Sequence, residues 1–143
     1  MSRVDFYVLS EEAVDARLRF ACRLAEKAVD HGQRVYVQTG SHAEALRLDE
    51  LLWTFSDGSF LAHEVANGSP ASHERVMVML GDADAPATHR QLLINLTDRL
   101  PGEVSAYERI AEIVDVDPER KRLSRERYKQ YRDQGCALES HNL

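Results

Sequence analysis

The sequence predicts one α/β domain with three layers: a mostly parallel central sheet flanked by helices. Three observations predict it. A length of 143 residues suits a single domain with a core of its own. Short β-prone apolar runs alternate with stretches whose apolar residues recur every three or four positions. The apolar runs are continuous, as expected of strands buried on both faces of a parallel sheet.

The elements follow in order. Residues 4–9 (Val-Asp-Phe-Tyr-Val-Leu) read as the first strand. Val14, Leu18, Cys22, Ala25 and Val29 then fall on one helix face, and Gly32 suits the end of that helix. Residues 34–39 form a second strand. Ser41-His42-Ala43-Glu44 has the form of a capping box and opens a helix striped by Ala45, Leu48 and Leu52. Strand, helix, strand, helix is the signature of a βαβ unit with a parallel sheet. Residues 60–65 suit a short strand, and residues 66–75, rich in Gly, Ser, Pro and Asn, a loop. Residues 76–80 and 91–96 give two further strands, separated by an acidic turn. Residues 105–115 read equally well as helix or strand. Pro118 suits a helix start, and that helix runs to about Gln134. The domain thus spans residues 1–135, with residues 136–143 as a polar, frayed C-terminal tail.

Composition narrows the function. The hydrophobic fraction is 43%, the charged fraction 29% and the net charge −6. That sign repels nucleic acid on average. Two cysteines without metal or disulfide spacing fit a reducing, cytoplasmic compartment, with Cys22 a buried free thiol. No apolar run approaches the roughly 20 residues of a membrane span, and no signal peptide is visible.

Catalytic motifs are missing. The first strand-to-helix turn, Ser10-Glu11-Glu12-Ala13, carries two carboxylates and no glycine where a phosphate-binding sheet needs approachable backbone N–H groups. His31, His42, His63, His73, His89 and His141 form no helix-borne zinc pair and read mostly as surface or loop residues. Asp82 and Asp84 suit a solvated turn better than an ion site. No cofactor, metal or catalytic residue is expected.

Two segments stand out. Seven of the 18 basic residues lie between Arg120 and Arg132. On a helix, Lys121, Arg125, Tyr128 and Arg132 project from one narrow face, with Lys129 beside them and Leu123, Arg127 and Tyr131 turned toward the sheet. Three readings fit: a solvated face laced to Glu119 and Glu126, a receptor for an acidic peptide, or a nucleic-acid contact. The second segment, residues 51–61, holds Trp53, Phe55 and Phe60 around a Ser-Asp-Gly turn. Clustered aromatics there suit either core or a protein interface.

Residues 6–9 (Phe-Tyr-Val-Leu), residues 47–53 (Arg-Leu-Asp-Glu-Leu-Leu-Trp) and residues 125–132 (Arg-Glu-Arg-Tyr-Lys-Gln-Tyr-Arg) resemble DNA polymerase III chi subunits in order and spacing. The resemblance implies a non-catalytic adaptor of the bacterial replisome, with a Rossmann-like fold. It would hold the acidic C-terminal tail of single-stranded-DNA-binding protein (SSB) and bind the psi subunit of the clamp loader, reaching single-stranded DNA only through SSB. The matching tail-binding positions are Lys121, Arg125, Tyr128, Lys129 and Arg132; the psi-facing ones are Trp53 and Phe60. Val116 is the nearest apolar position for the pocket that takes the tail's terminal phenylalanine. The alternative is a stand-alone nucleic-acid-binding regulator using the basic helix.

Overall fold

The structure, a computed structural model, describes residues 2–10, 15–54, 63–65 and 76–143. Its strands are β1 (Arg3–Val8), β2 (Val35–Gln38), β3 (His63–Val65), β4 (Val78–Gly81), β5 (Leu92–Asn95), β6 (Arg109–Val114) and β7 (Ala137–Asn142). The helices are α1 (Ala16–Asp30), α2 (His42–Thr54) and α3 (Pro118–Asp133). The strands form one open seven-stranded sheet in the order β3-β4-β2-β5-β6-β1-β7. Every pairing is parallel, as the continuous apolar runs predict.

Strand alternation divides the core between two faces. Val37, Leu80 and Ile94 pack with Leu18, Cys22 and Ala25 of α1 and with Leu48 and Leu52 of α2. Val4, Phe6, Met79, Leu93 and Ile110 face the other way, toward Tyr131 of α3. Two helices therefore cover one face and α3 the other. Cys22 is a buried free thiol, pushed up to about 12 by burial.

Local chemistry sets the helix ends. Ser41 Oγ accepts from the Glu44 amide at 3.1 Å, while the Glu44 carboxylate accepts from the Gly40 amide at 3.3 Å, one residue before the usual capping-box partner. Asp117 caps α3 by accepting from the Arg120 amide at 2.9 Å, with Pro118 in the first turn. Gly32 (φ +77°) and Gly135 (φ +81°) follow the ends of α1 and α3 in the left-handed conformation.

Residues 109–114 of the ambiguous stretch are strand. Ile110 and Val114 pack on the α3 side and Ala111 and Ile113 on the other, so both faces are buried and the mixed pattern is that of a central strand. The frayed tail is overturned: β7 pairs with β1 from Arg3–Ala137 to Val8–Asn142. Arg3 bonds Glu139 at 2.7 Å, and His141 bonds Asp5 at 3.0 Å while its ring stacks on Tyr7. Polar residues are what an edge strand carries to block further pairing, which is why it reads as a tail. His89 is fully buried, its ring bonded to Thr88 and the Val76 carbonyl, rather than a surface histidine. Residues 66–75, Phe55 and Phe60 lie outside the described residues.

Candidate functional site

The sheet order places β1 beside β6, so Phe6, Val8 and Val114 share the face that α3 crosses. Between them and the helix lies a groove of about 480 Å³. Lys121, Arg125, Tyr128, Lys129 and Arg132 all line it, with Ser124 and with Ser140 of β7. The sequence thus locates the cationic wall, and the fold supplies the apolar floor from strands remote in sequence. Val116 is not part of that floor; it lines a separate crevice at the carboxyl end of the sheet. The floor residue on the same strand is Val114. No local sequence pattern marks Phe6 or Val8 as groove residues, because both look like ordinary buried strand positions.

The electrostatics separates two stripes on α3. Glu119 and Glu126 both pair with Arg122, away from the groove. The expected lacing therefore leaves the groove cations untouched. Among the described residues, Lys121, Arg125 and Lys129 have no carboxylate partner, and Arg132 meets only its exposed neighbour Asp133 at 3.8 Å. No groove-lining residue is acidic among those described. Tyr128 is 37% exposed and leans on Phe6, ring centroids 5.3 Å apart. This combination can take a chain end bearing both carboxylates and an apolar ring.

Beneath the groove, α3 is clamped by a buried polar cluster that sequence reasoning missed. Glu112 of β6 is fully buried. It accepts from Arg127 Nε at 3.1 Å, Tyr131 Oη at 2.6 Å and Asn95 Nδ2 at 2.8 Å. Burial pushes its carboxyl up, while the Arg127 guanidinium and the other donors pull it back. The available signal was a lone glutamate among Ile110, Ala111, Ile113 and Val114.

Trp53 lies on α2, across the sheet from the groove, and is 58% exposed. Leu46, two turns earlier, is 47% exposed and was also missed. Phe60 lies outside the described residues. At the carboxyl ends of the strands, where such sheets bind ligands, Arg17 bonds Glu44 and the Leu96 carbonyl, and Arg120 bonds Asp115. Asp15 and Asp117 line the same crevice, which makes it a poor host for phosphate. Asp82 and Asp84 gather no third ligand among the described residues.

Residues 1–139 match the family model described as DNA polymerase III chi subunit, HolC. The chain belongs to that family. Over 143 residues it is 41% identical to the DNA polymerase III subunit chi of Pseudomonas aeruginosa, covering 100% of this chain and 98% of that one. The Haemophilus influenzae subunit chi is 31% identical over 138 residues, covering 96% and 95%. The Escherichia coli subunit chi is 28% identical over 142 residues, covering 96% of each. The crystal structure of T4 UvsW is similar in fold alone, with a TM-score of 0.66 at 8% identity over 98% of this chain and 41% of that one. No helix among the described residues of this chi-family chain is long and apolar enough to cross a membrane.

Proposed function

We propose that this chi-family chain is a non-catalytic adaptor of the bacterial replisome, in the cytoplasm. It holds the acidic C-terminal tail of SSB in the α3 groove and joins the DNA polymerase III clamp loader through the psi subunit. One observation carries the reading: Lys121, Arg125 and Lys129, which have no carboxylate partner among the described residues, meet an apolar floor of Phe6, Val8 and Val114 in one groove. A terminal carboxylate on Arg125 or Lys121 makes charge-assisted bonds, each worth about 1.5–3 kcal/mol. A phenylalanine ring against the floor adds about 1.5–3 kcal/mol if fully buried. Ordering the flexible tail offsets part of this, giving micromolar affinity, about −8 kcal/mol. Several tails on one SSB raise the effective concentration.

The exposed Trp53–Leu46 stripe on α2 supports a second partner. It sits across the sheet from the groove, so both contacts can be made at once. Arg125→Ala should weaken a tail peptide at least tenfold in a calorimetric titration; unchanged affinity contradicts the assignment. Trp53→Ala should impair psi capture and leave the tail peptide's affinity intact. A gel shift with bare single-stranded DNA should show little binding, and tight binding there favours the regulator alternative.

A further inference from the structure

On the opposite face of the sheet, α1 leaves a second groove of about 500 Å³ against β1 and the end of β7. Tyr7, Phe20 and Leu24 form an apolar wall, and Arg23, Lys27 and Arg109 lie among them. The Tyr7 and Phe20 rings tilt against each other, centroids 5.3 Å apart. Arg109 is already held: its Nε donates to Asp5 at 2.9 Å and its Nη2 to the Tyr7 hydroxyl at 2.7 Å. It shapes the wall rather than offering free charge.

Arg23 and Lys27 differ. They stand one turn apart on α1, both exposed, and neither has a carboxylate partner among the described residues. Arg23 instead leans over the Phe20 ring, 6.0 Å from its centroid. Two cations without an ion-pair partner among the described residues, beside an aromatic wall, stand out on a chain of net charge −6.

We propose that this groove docks an acidic peptide segment carrying an aromatic or branched aliphatic side chain. Arg23 and Lys27 take its carboxylates, and the Tyr7–Phe20–Leu24 wall takes its apolar side chain. Charge complementarity favours this occupant over nucleic acid, which needs a longer run of cations to follow a phosphate backbone. Glu26 and Asp30 on the same helix interrupt any such run. The proposal stands independently of the α3 groove's assignment.

The test uses the full chain and a synthetic Asp-Asp-Glu-Asp-Phe peptide, followed by amide NMR shifts and fluorescence anisotropy. In an Arg125→Glu chain, the peptide should still shift α1 and β1 amides. Adding Arg23→Glu and Lys27→Glu should weaken that residual binding at least tenfold; both sites are exposed, and an unchanged thermal midpoint confirms folding. Absence of α1 shifts overturns the proposal, as does their persistence in the triple variant. Shifts produced by oligothymidylate and not by the peptide also overturn it. If only the α3 reading fails, Arg125→Glu leaves total binding unchanged while the α1 pair abolishes it.

Discussion

Glu112 and Arg127 show how one buried pair positions a surface several ångströms away. Arg127 belongs to the same helix as the groove cations but points inward, where Glu112 and Tyr131 fix the helix against β6. Arg127→Ala leaves a buried carboxylate without its cation, and loss of one partner from such a pair costs about 3–5 kcal/mol. Urea unfolding should show a loss of that order. Asp5 works on the other face. Burial alone raises its carboxyl, but bonds from His141, Arg109 and Arg3 outweigh it and hold the folded value below the ordinary range. The unfolded carboxyl titrates at about 3.9. Its stabilisation is therefore present above that pH and is lost as pH falls through the lower folded value. Glu112, raised in the fold, contributes with the opposite slope. Asp5→Asn should flatten the loss of stability as pH falls below about 4 relative to the parent chain, measured by denaturation midpoints at each pH.

At the scale of elements, α3 depends on its first turn. Asp117→Ala removes the acceptor for the Arg120 amide and should cost about 1 kcal/mol, with faster amide exchange in residues 119–121. Helices with an apolar stripe and a cap were legible from the chain alone, because a 3.6-residue period and a Ser or Pro at the start are local signals. The α3 ridge was legible for the same reason: Lys121, Arg125, Tyr128 and Arg132 share a face whatever the helix packs against. Two elements were not. Residues 109–114 carry two apolar pairs, Ile110–Ala111 and Ile113–Val114, on either side of Glu112, so neither period wins until a sheet buries both faces. β7 carries Glu139, Ser140, His141 and Asn142, and only its pairing with β1 distinguishes it from a loose end. The groove floor was hidden similarly, since Phe6 and Val114 become neighbours through a crossover that no local pattern encodes.

For the whole molecule, charge is unevenly spread. A net −6 surface carries its densest run of cations on α3, so an acidic partner is drawn toward that face more strongly than toward the acidic remainder. Salt shortens the reach of that field from about 10 Å at 0.1 M to about 3 Å at 1 M. Tail-peptide affinity should fall steadily over this range; insensitivity to salt would mean a purely apolar contact.

The strand order also dictates when the molecule can exist during its own synthesis. β1 is the earliest strand, yet its two neighbours, β6 and β7, are the latest. A nascent chain emerging from the ribosome must carry β1 with both edges unsatisfied while the central β2, β4 and β5 are already available to pair. Contacts this distant along the chain form slowly and leave apolar edges open meanwhile. Chains stalled before β6 emerges should therefore be sensitive to proteases and prone to clump.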